Sequence, residues 1–125
     1  MLDELLSKQA EVISKVAEDK TANSLGVYAI SRPDTHKIIY VGKTKTKSIQ
    51  GRMKDHLQHK HGDTDSDLAN MVIKREKLPQ NYSDYLVRYL SINEPRDRMR
   101  FEMFAISVLD PALNKDDNKA PLKRK

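Results

Sequence analysis

Two short runs rich in β-branched and aromatic residues, 26–30 (GVYAI) and 37–43 (KIIYVGK), stand on either side of Ser31-Arg32-Pro33-Asp34. Val, Ile and Tyr favour the half-buried, pleated surface of a strand, and the Pro-Asp pair presets a turn. The sequence therefore predicts a β-hairpin with a fairly long loop. This unit constrains everything else, because a two-stranded hairpin alone is at best marginal in water and has to be covered.

Helical signals supply the cover. Ser48 suits the N-cap of a helix running to about residue 60, with Ile49, Met53 and Leu57 on one face. After His61-Gly62-Asp63 a second helix is expected over 65–77, with Leu68, Met71 and Val72 inward. Residues 85–92 (YLVRYLSI) alternate as a third strand should. Pro95 suits the first turn of a last helix that reaches about residue 109, with Met99, Met103 and Ile106 as its core stripe, and Asp110-Pro111 stops it.

Ahead of the hairpin, Leu2, Leu5, Leu6, Val12, Ile13 and Val16 recur at helical spacing, with Asp3 and Glu4 near the positive end of the helix dipole. One amphipathic helix over residues 1–20 is the expectation, followed by a polar connector to residue 25. The element order then predicts an α+β domain: a small three-stranded antiparallel sheet flanked by helices, with an extra N-terminal helix. Residues 1–25 form the N-terminal helix and connector, 26–114 the domain, and 115–125 (KDDNKAPLKRK) a basic tail expected to be disordered.

A chain of 125 residues suits one domain, and its formal net charge of +5 (23 Lys and Arg against 18 Asp and Glu) favours polyanionic partners. It has no cysteine, which excludes disulfides and thiolate metal sites and fits a reducing cytoplasm. No run approaches the roughly 18 apolar residues of a membrane span, and the charged N-terminus lacks a secretory signal. A cytoplasmic protein without a membrane partner is expected.

Val41-Gly42-Lys43-Thr44 looks like the end of a phosphate-binding loop, but Lys37 stands where the earlier glycine belongs. His59 and His61 make an HxH pair with no third ligand suggested nearby. The informative feature is an ordered series. Gly26-Val27-Tyr28 lies on the first strand and Tyr40-Val41-Gly42-Lys43 on the second. Arg52 and His56 follow one helical turn apart, Glu102 sits on the last helix, and Asn114 comes after it.

This series resembles the GIY-YIG nuclease family. GVY and YVG stand at its two signature tripeptides, residues 51–56 look like its arginine-bearing helix, and Glu102 and Asn114 match its metal-binding glutamate and following asparagine. The resemblance implies a DNA endonuclease that uses Mg2+ or Mn2+ on Glu102. Tyr28, Tyr40, Arg52, His56 and Glu102 are then the catalytic set, with Gly26, Gly42, Lys43 and Asn114 supporting. It also implies that one tyrosine of the pair takes the proton from water without fixing which; between the two, Tyr28 is preferred here.

The residue types suit that chemistry. Phosphodiester hydrolysis needs an activated water and neutralisation of growing negative charge. A hard cation on one carboxylate, a permanently charged arginine fork, and a phenol lowered by nearby Lys43 and Arg52 can provide these. The competing reading is a basic DNA- or RNA-binding domain that keeps the fold without catalysis. A monomer is expected ahead of a homodimer, since the apolar stripe of the first helix spans only about three heptads.

Overall fold

The computed structural model describes residues 1–58, 68, 72, 78–79 and 81–114. The first departure from expectation is at the N-terminus. In place of one helix there are α1 (Leu2–Ser7), a two-residue strand β1 (Glu11–Val12) and α2 (Ile13–Glu18). The reason lies in the next strand, β2 (Gly26–Ser31). Leu5 packs with Val27 and Ala29, whereas Ile13, Val16 and Ala17 pack with Tyr28 and Ile30. Alternate residues of a strand point to opposite faces, so these apolar groups serve opposite sides of the sheet. A straight helix cannot reach both sides, and the chain crosses the sheet edge in extended form between them. Arg88 Nε holds the crossing by donating to the Lys8 carbonyl at 2.9 Å. Leu6 and Val12, on the supposed apolar stripe, are exposed.

The hairpin is present. β2 pairs antiparallel with β3 (Ile38–Lys43), placing Tyr28 opposite Gly42 and Ile30 opposite Tyr40. Ser31 then pairs with Ile38, so Ile39 is an extra residue in β3 and bulges the strand. On its other side β2 pairs antiparallel with β4 (Leu86–Ser91), and β1 pairs with the far edge of β4. The sheet order is β1-β4-β2-β3, so four strands stand among the described residues where three were expected. The added one is β1, too short for periodicity to reveal.

Helix α3 (Ile49–Leu57) starts as predicted, with the Ser48 Oγ accepting the Gly51 N–H at 3.1 Å. It stops at Leu57, before residue 60, because Gln58 is extended. Leu68 and Val72 are helical and fully buried beside it, packed in the core with Ile49 and Met53. The rest of the expected 65–77 helix, including Met71, lies outside the described residues, as do residues 61–63, His59 and the 115–125 tail.

Helix α4 (Pro95–Leu109) also begins as predicted, its N-cap Glu94 accepting the Arg96 N–H at 2.7 Å. Its phase differs. Met99 and Met103 are exposed, and the buried row is Arg98, Phe101 and Ala105, with Ile106 partly covered. Most positions from 99 to 109 are apolar, so spacing alone does not select a face. The helices cover both faces of the sheet: α2 and α3 on the Tyr28 side, α1 and α4 on the Val27 side. Among the described residues no helix is long and apolar enough to cross a membrane.

Candidate active site

Tyr28 and Tyr40 are diagonal neighbours on one face of the hairpin, their ring centroids 6.3 Å apart. Gly42 makes room for them. A Cβ there would lie 2.5 Å from the Tyr28 hydroxyl oxygen and 2.9 Å from Tyr40 Cε2. Gly26 has a separate reason: a Cβ on it would run into the Leu90 carbonyl of the paired strand. Both glycines therefore mark close approach, one of side chains and one of backbone.

His56 closes the back of the tyrosine pair. It is fully buried, and its ring meets Tyr28 and Tyr40 edge-on at 5.3 and 5.8 Å. Nδ1 accepts the Leu68 N–H at 2.8 Å, and Nε2 lies 2.7 Å from the Tyr28 hydroxyl oxygen. A backbone N–H can only donate, so Nδ1 carries no proton and the neutral ring holds its proton on Nε2. That proton is donated to Tyr28. Burial, and after it the charge of Arg52, pushes the His56 pKa well below its ordinary value, which keeps the ring neutral. His56 thus holds the phenol oxygen in place and favours negative charge on it; Nε2 cannot accept its proton.

Tyr28 is pulled two ways. Burial, then the adjacent Tyr40, pushes its phenol well above the ordinary range, and Glu102 adds to that push. The charge of Arg52 and a hydrogen bond to it act downward. Arg52 is steadied by Asp55 at 3.6 Å, one turn along α3, and Asp55 also binds Lys47 at 2.7 Å.

Tyr28, Tyr40, Arg52 and Glu102 all line one cleft of about 420 Å³. Lys43, Lys45 and Lys47 line it too, so cations dominate its wall. Glu102 arrives from α4, whose Phe101 and Ala105 pack on the sheet face opposite Tyr28. β3 is the outer strand, which lets residues from both faces meet around its edge. Among the described residues of the lining, Glu102 is the sole carboxylate, and no described group of three or more His, Cys, Asp or Glu could hold a metal ion. Such a donor set fits a magnesium-type ion, which binds one or two carboxylates and keeps water and phosphate oxygens in the rest of its shell. Among the described residues no set offers the three or four protein ligands of a zinc site.

Residues 24–115 match the family described as the GIY-YIG catalytic domain. The chain belongs to the GIY-YIG family. Its domain is that of a nuclease, with DNA as the substrate class. No curated protein and no solved structure matches the chain.

Within this GIY-YIG domain, Lys43, Arg52, Glu102 and the two tyrosines meet at the cleft, with His56 directly behind. Asn114 stands apart from the lining. Its Oδ1 accepts the Val41 N–H at 2.7 Å and its Nδ2 donates to the Val41 carbonyl at 2.9 Å. It satisfies the open edge of β3, as a neighbouring strand would, and so steadies the strand that carries Tyr40 and Gly42.

Sequence reasoning missed three contributors. Lys45 and Lys47 line the cleft, and the run of three lysines in 43–47 (KTKTK), directly after the second signature tripeptide, was a usable signal. Arg98, which i, i+4 spacing offers as a surface partner for Glu102, is instead buried at the base of the same loop, with its guanidinium on main-chain carbonyls.

Proposed function

We propose that this GIY-YIG domain is an endonuclease that hydrolyses DNA phosphodiester bonds using a divalent metal ion on Glu102 and Tyr28 as the proton acceptor. One observation carries the reading: Tyr28, Tyr40, Arg52 and Glu102 line a single cleft whose other charged groups are lysines. A phosphodiester anion is drawn to that wall, and the planar Arg52 fork binds its oxygens. Glu102 would hold the ion, which when bound would supply positive charge against the negative charge that builds on phosphate.

With Tyr28 already ionised, its proton lost to solvent, the attacking water gives a proton to the Tyr28 oxygen while its own oxygen bonds to phosphorus. His56 Nε2–H and Arg52 both donate to that tyrosine oxygen, so negative charge on it is met by hydrogen bonds already in place. Burial opposes ionisation of Tyr28 and keeps its pKa raised, while Arg52 acts in the opposite direction. Tyr40 packs the pair and orients the water. As the bond to the leaving oxygen breaks, Arg52 offsets its charge and solvent returns a proton to it.

Supercoiled plasmid incubated with the pure protein and magnesium, with and without EDTA, tests this. Nicking that EDTA abolishes and added magnesium restores is expected. Tight binding of DNA with no cutting in magnesium or manganese would overturn it in favour of a non-catalytic binding domain.

A further inference from the structure

Arg98 is a charged side chain only 4% exposed, and its guanidinium is directed at main-chain carbonyls. Nε donates to Thr44 at 3.1 Å and Nη2 to Lys45 at 3.5 Å. Nη1 donates to Ile92 at 3.0 Å and Asn93 at 2.6 Å. Burying a guanidinium is unfavourable unless its donors are met, and these carbonyls meet them. An apolar side chain would fill the position without tying any loop down. What the arginine adds is a link between two loops, the one after β3 and the one leading into α4.

Lys43, which ends β3, and Lys45 and Lys47 of the loop after it stand on the cleft wall. The loop's opposite side is pinned as well: the Thr44 N–H donates to the Gly26 carbonyl at 2.9 Å, and the Gly26 N–H donates to Thr44 Oγ1 at 2.9 Å. Arg98 stands one helical turn before Glu102 on α4. The loop is therefore fixed to the helix that bears the cleft's carboxylate.

We infer that Arg98 is a positioning residue for the nuclease: it locks the lysine loop onto α4, so that Lys43 and Lys45 meet DNA phosphates at a set distance from Glu102. The inference rests on reading the cleft as the DNA site. It makes Arg98 act through Lys45 and its neighbours, without touching DNA itself.

The test is equilibrium binding of a labelled DNA duplex to the full chain in EDTA over a range of salt, for wild type, Arg98→Lys, Lys45→Ala and the double variant. Arg98→Lys keeps the charge, but a single ammonium lacks the fork that spans both loops. It should weaken binding about tenfold and lower the salt slope by about one phosphate contact. The double variant should bind within about twofold of Lys45→Ala alone, since residues acting through one another are not additive.

Additive losses, or a lower melting temperature with an unchanged salt slope, would reduce Arg98 to a structural residue and overturn the inference. Failure of the wild type to bind duplex at all overturns the DNA-cleft reading, and the role of Arg98 with it. Should Arg98→Lys not fold, Thr44→Val loosens the same loop by removing the Oγ1 that accepts the Gly26 N–H, while the Thr44 N–H bond to the Gly26 carbonyl stays. An unchanged salt slope in that variant overturns the inference equally; a reduced one supports it.

Discussion

His56 Nε2 lies 2.7 Å from the hydroxyl oxygen of Tyr28, while the same ring's Nδ1 takes the Leu68 N–H at 2.8 Å. With one nitrogen accepting, the other must donate, so the ring is useful only while neutral. Its folded pKa lies well below the ordinary value because of burial. The unfolded chain therefore binds more protons than the folded one once the pH drops below about 6.5. The stability contributed by the neutral ring is full above that pH and is lost as pH falls toward the depressed folded value. Thermal unfolding should show a falling midpoint between about pH 6.5 and 5 in the wild type, and a clearly smaller fall in His56→Gln. Parallel curves would contradict the buried neutral ring.

Tyr28→Phe keeps the ring and removes the group proposed to accept the proton. Cleavage should fall by about 100-fold or more, the scale of lost general-base catalysis. Tyr40→Phe should lose about tenfold, with midpoints of unfolding for both near that of the wild type. Because the Tyr28 pKa is raised, and a base must be deprotonated to act, the wild-type rate should climb with pH on the alkaline side. His56→Phe removes a donor to the phenolate, so the limb should move to still higher pH. Normal cutting by both phenylalanine variants would assign the tyrosines to packing alone.

Glu102→Gln leaves shape and volume nearly unchanged and removes the cleft's carboxylate charge. Plasmid cutting should disappear, while duplex binding in EDTA is retained or strengthened, since a negative group leaves a cationic wall. Stability should stay within about 0.5 kcal/mol of the wild type, as for a partly exposed residue away from the core. Cutting at the wild-type rate would remove Glu102 from the site.

The two signature glycines should fail differently. In Gly26→Ala the new methyl meets the Leu90 backbone, which cannot move without breaking the ladder, so chemical denaturation should show a loss of about 1–3 kcal/mol. In Gly42→Ala the obstacle is the Tyr28 hydroxyl end, 2.5 Å from the new carbon. The ring has to shift away from its place beside His56, and a displacement near 1 Å at a reacting group can lower a rate by about 100-fold. Comparing unfolding free energy with cleavage rate for both variants checks this; a Gly42→Ala enzyme of wild-type rate would contradict it.

Local information was enough for much of this protein. Two β-branched and aromatic runs and the Pro33-Asp34 turn marked the hairpin, Ser48 and Pro95 marked two helix starts, and the signature tripeptides and the helix after them held Tyr28, Tyr40 and Arg52, which meet at the cleft. Each of these signals lies within a few residues of the element it predicts. What the tertiary structure alone decided depends on partners far away in sequence. The split of the first helix follows from Leu5 and Ile13 serving opposite faces of a sheet built from later residues. The inner face of α4 is set by what it packs on, because apolar residues surround most of that helix. The His56–Tyr28 bond, the Asn114 clamp and the Arg98 anchor join residues 28, 73 and 54 positions from their partners. Periodicity records which side of an element a residue occupies; only the packed chain determines which group waits on the other side.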